Sequence, residues 1–428
     1  MKKLIAVLAV MVAAFALFGC SDEGATEGGV GLTLDIDNSR SIEGKVWGAA
    51  IVNDNESYDI YFGDENGKRL TEYTKIGVAK GENGCELDGL VLPPKAKTVV
   101  AVGKGGKTAF CALPKRFTVD YSNPYIFGAL SDVHYNKYYA TGDDDALVAF
   151  DRALDYFDKI GADMVGVAGD ISNDGEEDSL IKFNEAISGR DYPVFTVAGN
   201  HDYKAYKNGL WQQYITDNVK GCEMSEYGGD FMYAPKGANG DVFVFLNITY
   251  WTYDNKIFRA LMYEQIDWLE SILKTHTDNQ VYLFFHLFLC GPDGQKHTGV
   301  GNIMNPGGYT YPLPYHYANA DERVFRRMMK NYKNVVYLSG HSHWMFEMEI
   351  YGEQANFSDF GGQFCSMVHI PSVTEPRWIG EFDTDRTGKN GECSEGWVIY
   401  DCGDITVLLP VDFVSGTVYT EYMEIVHK

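Results

Sequence analysis

Positive charge is scarce in this chain. Its 428 residues carry 36 Lys and Arg against 60 Asp and Glu, a formal charge of −24 at pH 7. A surface of that sign repels phosphate backbones and anionic lipid, which excludes a broad basic face for nucleic acid or membrane. An anionic substrate would need a local positive centre, and bound metal ions are one source. Paired cysteine motifs are lacking too. Among eight cysteines no two stand in a CxxC spacing, which removes the zinc ribbon and the thioredoxin-like site. All ten histidines lie at position 134 or later, so the N-terminal part offers no imidazole and no catalytic cluster. Long apolar runs are missing as well, apart from one at the start.

That run follows Lys2 and Lys3 and ends at Gly19-Cys20. A basic start, an apolar stretch and a small residue before the cleavage point make a secretory signal. The run is at the short limit for a membrane-spanning anchor, the other reading of such a segment. "LFGC", Leu17 to Cys20, resembles a bacterial lipobox, with Phe18 in place of the usual small or β-branched residue. The resemblance implies cleavage before Cys20 and lipid on its sulfur, hence an exported lipoprotein of the cell envelope at the outer membrane or cell surface. Ser21 and the acidic pair Asp22-Glu23 resemble a sorting signal away from the inner membrane. Losing residues 1–19 removes two lysines and no acid, so the exported chain is more acidic still. Seven cysteines then remain and cannot all pair. Cys85–Cys111 and Cys393–Cys402 are candidate disulfides in an oxidising compartment.

Residues 20–31 are small, polar and Gly-rich and read as a flexible tether. Over 32–118, short strand candidates ("KVWGAAIV", "YDIYFG", "KTVVAVG") are separated by Asn, Asp, Gly and Pro clusters. That spacing predicts a small all-β sandwich of immunoglobulin or fibronectin type. Residues 119–428 change regime. Strands at 125–132, 162–170, 192–200, 241–251, 280–287 and 334–343 alternate with helices at 143–161, 177–189, 264–276 and 321–332. Such alternation predicts a largely parallel α/β sheet. The end of the chain returns to strands.

Five of these strands end in potential metal ligands. "LSDVH" ends in Asp132 and His134, "VGVAGD" in Asp170, "FTVAGNHD" in Asn200, His201 and Asp202. "VYLFFH" ends in His286, and "VVYLSGHSH" in His341 and His343. Singly each has an ordinary explanation: a turn for Gly-Asn-His-Asp, a cap for Asp132, a satisfied core histidine for His286. Jointly they collect at the carboxyl edge of the sheet, where α/β folds keep their ligand crevice.

These motifs, Asp-x-His, Gly-Asp, Gly-Asn-His-Asp, His and Gly-His-x-His in that order, resemble the calcineurin-like metallophosphoesterases. "QIDWLESIL", from Gln265 to Leu273, also resembles the helix that precedes the family's fourth motif. The resemblance implies a β-sandwich flanked by helices, an α/β/β/α arrangement. It implies two divalent transition ions, manganese, iron or zinc, which suit carboxylate and imidazole ligands. One ion would take Asp132, His134, Asp170 and His343; the other would take Asp170, Asn200, His286 and His341, with Asp170 bridging. It implies hydrolysis of phosphate esters by a metal-bridging hydroxide, with His201 as the catalytic histidine beside the ions and Asp202 orienting it. Purple acid phosphatases of the superfamily carry a tyrosine where this chain has Asn173, and they lack the first-motif histidine, here His134. The pattern is therefore closer to the phosphodiesterase-type branch, with a phosphomonoesterase of the same fold as the alternative. A non-catalytic surface-binding lipoprotein is the reading from another class. The Gly-, Pro- and Tyr-rich loop after His286 either offers His297, His316, Tyr309 and Tyr311 for substrate contact or is a solvated flap, and Tyr135 and Trp344 are pocket-wall candidates whose plainer reading is local packing. Expected partners are a small phosphate ester and, through Cys20, a membrane.

Overall fold

The computed structural model describes residues 26–27, 30–81, 83–135, 143–249, 260–289, 300, 320–347, 356–374, 376 and 394–428. The signal segment, Cys20, and His297, His316, Tyr309 and Tyr311 lie outside them. Among the described residues no helix is long and apolar enough to cross a membrane. The chain divides into two compact units, Met1–Val119 and Asp120–Lys428.

The first unit is all β. Its strands are β1 (Thr26–Glu27), β2 (Leu32–Ile36), β3 (Lys45–Val52), β4 (Ser57–Gly63), β5 (Gly77–Lys80), β6 (Cys85–Val91), β7 (Thr98–Gly103) and β8 (Thr108–Ala112). They form an antiparallel five-stranded sheet, β1-β8-β7-β4-β5, and a three-stranded sheet, β2-β3-β6. Period-two alternation decides the buried face: Tyr58, Ile60 and Phe62 of β4 are fully buried while Asp59 and Tyr61 between them are partly exposed. Cys85 and Cys111 are both buried and no disulfide joins them. Cys393 lies outside the described residues.

The second unit begins with β9 (Tyr125–Leu130), α1 (Asp143–Ile160), β10 (Met164–Val167), α2 (Glu177–Ile187) and β11 (Val194–Thr196). Two short helices that the sequence pattern did not announce follow, α3 (Tyr203–Lys207) and α4 (Leu210–Tyr214), then β12 (Glu223–Met224) and β13 (Phe231–Tyr233). Next come β14 (Val242–Leu246), α5 (Tyr263–Thr275), β15 (Val281–Phe285), α6 (Ala320–Asn331) and β16 (Val335–Ser339). The last strands are β17 (Phe357–Ser358), β18 (Ser366–His369), β19 (Glu395–Asp401), β20 (Ile405–Asp412), β21 (Thr417–Val418) and β22 (Glu424–His427).

The strands divide between two mixed sheets, the sandwich that the family resemblance implied. One runs β11-β10-β9-β19-β20-β21, with β22 also on β20; the other runs β12-β13-β14-β15-β16-β18-β17. The βαβ connections make β9–β11 and β14–β16 parallel. The hairpin at Gly403 turns β19 and β20 antiparallel, and β19 then pairs antiparallel with β9. Alternation along β14 shows the layering. Phe243 and Phe245 join Phe127, Phe195, Trp397 and Ile399 of the other sheet in one core. Val242, Val244 and Leu246 face Leu269 and Leu273 of α5 and Met329 of α6. On the far side Phe157 of α1 closes over β9, where a Cβ at Gly128 would lie 2.4 Å from its ring. The layers are helix, sheet, sheet, helix. The carboxyl ends of the parallel strands of both sheets therefore meet along one edge.

Candidate metal centre

Backbone pairing between β9 and β10 continues past both strand ends. Ala168 donates to the Leu130 carbonyl at 2.7 Å, Asp132 to Gly169 at 3.0 Å, His134 to Asp170 at 2.9 Å and Tyr135 to Ile171 at 2.9 Å. These bonds carry the first two motifs forward together. Gly340 N–H likewise donates to the His286 carbonyl at 3.1 Å, tying the fourth motif to the fifth.

Within these loops the backbone is left-handed at five side-chain-bearing positions: Asp132 (φ 56°), His134 (52°), Asp170 (53°), His341 (76°) and His343 (62°). Only three other non-glycine residues among those described share that conformation. It costs about 1–2 kcal/mol per residue, so its concentration here marks a site held against local preference.

The side chains converge. His343 Nε2 lies 3.1 Å from Asp132 Oδ1 and 3.1 Å from His134 Nε2, and His134 Nε2 lies 3.5 Å from Asp170 Oδ2. On the other side His286 Nε2 lies 3.1 Å from Asp170 Oδ2, from Asn200 Oδ1 and from His341 Nδ1. Two donors about 2.1 Å from a shared ion, at angles between octahedral and tetrahedral, stand roughly 3.0–3.4 Å apart. The donor spacings are of that size, and the two groups share Asp170. Both carboxylates are split in function. Asp132 Oδ2 accepts the His341 N–H at 2.9 Å and Asp170 Oδ1 accepts the His201 N–H at 2.9 Å. Apart from the histidine nitrogens just named, no hydrogen-bond donor among the described residues reaches the buried Asp132 Oδ1 or Asp170 Oδ2. Buried carboxylate oxygens without a donor need a cation. His286 Nδ1–H donates to the Ala168 carbonyl at 2.7 Å, so Nε2 is the nitrogen turned toward the site.

The electrostatics agree. Burial raises the Asp170 carboxyl, but His286, His201 and His134 outweigh it and hold the group well below the carboxylate range. Asp132 behaves alike, burial being overcome by His343 and His134. His286 is disfavoured as a cation by burial, yet Asp170 pulls it up to about 9. His341 is pushed down to about 3, by burial and then by His286. A carboxylate pair that holds a proton on a buried imidazole attracts divalent ions by the same field. Carboxylate, imidazole and amide oxygen together fit Mn²⁺, Fe²⁺ or Zn²⁺.

His201 differs from the other site histidines in being half-buried, with its ring edge-on to His134 at 4.8 Å. A nitrogen of its ring, one of the His134 ring and an Asp170 carboxylate oxygen form a further group of close donor atoms. The expected hydrogen bond from His201 to Asp202 is corrected by the structure. His201 Nδ1 donates to the main-chain carbonyl of Asn173. The Asp202 carboxylate is fully buried and accepts four other bonds: from Ile171 N–H (3.1 Å), Ser172 N–H (2.8 Å), Ser172 Oγ–H (2.6 Å) and Gly199 N–H (2.9 Å). It faces backbone donors, so it ties the Asp170 loop to the Asn200 loop and does not face the imidazole. Burial and the charge of Asp170 raise it to about 6. Of the two readings of Tyr135 and Trp344, the structure favours local packing: both are buried, Tyr135 against Phe150.

Several supporting residues carried no motif. Ala198 N–H donates to Asn247 Oδ1 at 2.7 Å, and Asn247 and Gln265 both bond Asp230 in a fully buried network. The helix beginning at Tyr263 is thereby joined to the Asn200 loop. Gln265 was legible only as part of the "QIDWLESIL" segment.

A sequence profile described as calcineurin-like phosphoesterase matches residues 126–345. The chain belongs to this family. Similar solved structures include a dimetal phosphatase from Danio rerio, 13% identical, covering 71% of this chain and 99% of that one with a TM-score of 0.47. Purple acid phosphatase PPD1 from yellow lupin is 12% identical, covering 90% of this phosphoesterase and 73% of that chain at a TM-score of 0.46. GAP50, described as the anchor in the inner membrane complex of Plasmodium, is 12% identical, covering 71% and 89% at 0.44. No curated protein matches the sequence.

Proposed function

We propose that this phosphoesterase hydrolyses phosphate esters with two divalent ions, and that phosphodiesters are its preferred substrates. The observation that carries the reading is the shared carboxylate: Asp170 Oδ2 lies between His134 and His286, each the start of its own donor group. Asp132, His134, Asp170 and His343 would hold one ion, and Asp170, Asn200, His286 and His341 the other. When bound, such a pair supplies charge for the phosphoryl oxygens and a hydroxide nucleophile at neutral pH. His201, half-buried and oriented by the Asn173 carbonyl, turns Nε2 to the leaving oxygen and, as the imidazolium, gives it the Nε2 proton while Nδ1–H stays on the carbonyl. Asp202 acts at a distance from the substrate by fixing the two loops against each other. The diester preference rests on the Asp132-x-His134 pattern and on Asn173.

The test is a screen of the metal-replete protein against bis-p-nitrophenyl phosphate, p-nitrophenyl phosphate, cyclic nucleotides and phospholipid head groups. Higher kcat/KM on the diester supports the proposal. A higher value on the monoester reverses the preference, and no turnover with two ions bound favours a surface-binding role.

We also propose export and lipid anchoring through Cys20, supported by Lys2, Lys3 and the apolar run before Gly19. Wild type should incorporate palmitate and fractionate with membranes, and Cys20→Ala should lose the label. Unlabelled, cytoplasmic wild type would refute it.

A further inference from the structure

The Asp132–His134 turn is left-handed at both ligand positions and fully buried, so something outside the turn must hold it. The segment after β18 does this. Ile370 N–H donates to the Ser339 carbonyl at 2.7 Å, beside the His341 loop, and Val373 N–H donates to the Ser131 carbonyl at 3.0 Å. Between and beyond these, two hydroxyls reach the turn. Ser372 Oγ–H donates to the Asp132 carbonyl at 2.8 Å. Thr374 Oγ1 lies 3.0 Å from the Asp132 carbonyl and 2.9 Å from the Val133 carbonyl. The segment is itself pinned, because Ser394 Oγ–H donates to the Val373 carbonyl at 2.6 Å.

From this arrangement we infer that Ser372 and Thr374 are positioning residues for one of the two metal sites. The inference rests on the two-ion reading above. Buried carbonyls require donors, and here side-chain hydroxyls from 240 residues away fill that role for Asp132. The hydroxyls set the orientation of the peptide units on both sides of Val133. Those units in turn aim Asp132 Oδ1 and His134 Nε2. Asn200, His286 and His341 are held by other elements: His286 by the Ala168 carbonyl, and the Asn200 loop by Asn247 and Asp202. Loosening the clamp therefore weakens the ion bound by Asp132, His134 and His343, and leaves the His286 side intact. Groups that support metal ligands typically contribute 10- to 100-fold in metal affinity.

The experiment is equilibrium dialysis of the metal-free protein against Mn²⁺, with elemental analysis and electron paramagnetic resonance of the bound ion. Wild type binds two ions that couple magnetically. Ser372→Ala/Thr374→Val binds the first ion as wild type does and the second about 10- to 100-fold more weakly, with the spectrum of an isolated ion at one equivalent. Thr374→Ser, which keeps the hydroxyl, retains both. If the double variant does not fold, Thr374→Val against Thr374→Ser carries the comparison alone. Equal weakening of both ions, unchanged binding, or a Thr374→Ser defect as large as that of Thr374→Val overturns the inference. Wild type that binds fewer than two ions overturns the two-ion reading itself, before any variant is compared.

Discussion

Gly199→Ala is the sharpest steric probe of the shared carboxylate. A Cβ built at Gly199 would lie 2.1 Å from Asp170 Oδ1 and 2.5 Å from Asp170 N. Ordinary van der Waals contact begins near 3.4 Å, so the carboxylate must retreat by more than an ångström or the loop must open. Gly199 does not have the left-handed backbone that disfavours alanine, so the effect is one of space and not of conformation. Overpacking of this kind costs about 1–3 kcal/mol. Taken up wholly at the ligand, that is roughly 5- to 150-fold in metal affinity, at 1.36 kcal/mol per decade. Because Asp170 faces both donor groups, both ions should weaken. Gly340→Ala is the paired control. Its Cβ would meet Ser131 Oγ at 1.8 Å and Asp132 Oδ2 at 2.6 Å, so it should weaken chiefly the ion held by Asp132. Dialysis against Mn²⁺ with elemental analysis reads both, and circular dichroism confirms folding. A folded Gly199→Ala protein that binds two ions with wild-type affinity would refute the placement of Asp170 between the two groups.

Three further outcomes are expected. His201→Ala should keep both ions and lose about 10²–10⁴-fold in turnover on substrates with poor alkoxide leaving groups, with a smaller loss on p-nitrophenyl esters; an equal loss on both would point to charge stabilisation instead. Asp202→Asn replaces an acceptor of four bonds with a group that is half donor, so thermal melting should show a loss of stability of about 1–3 kcal/mol, while the leaving-group dependence stays that of wild type; a changed dependence would mean that Asp202 acts through His201. Glu395 is fully buried, accepts the Phe346 N–H at 2.9 Å, and is raised by burial from 4.5 to about 8. Its folded pKa is above its unfolded one, so its contribution to stability is complete below about pH 4.5 and is lost as pH rises through about 8, at up to about 1.4 kcal/mol per pH unit. Glu395→Gln should therefore lose less stability than wild type between pH 5 and 9 in urea titrations, and parallel losses would refute the assignment.

Part of this protein could be read directly. A β-strand that must be buried on both faces is written as an apolar run, and the first polar residue after it falls at the sheet edge. Asp132, Asp170, Asn200, His286 and His341 all fall within three residues of the end of such a run and so form a set, and the helices α1, α2, α5 and α6 coincide with their periodic segments. The helices α3 and α4 are five residues each, too short to display a period.

What holds the site belongs to the tertiary structure. The partner of His201 is a backbone carbonyl, which every residue possesses, so no side-chain pattern can announce Asn173. Asp202 looks like a neighbour of His201 along the chain, but a turn of backbone sends its carboxylate to Ile171, Ser172 and Gly199. The antiparallel pairing of β19 with β9 is a matter of topology and not of local period. The clamp on Asp132 comes from Ser372 and Thr374, two hydroxyls in an unremarkable stretch. The identity of the ligands is local chemistry and survives in one dimension. Their orientation depends on hydrogen bonds between distant segments, and such bonds leave no periodic trace in the chain that makes them.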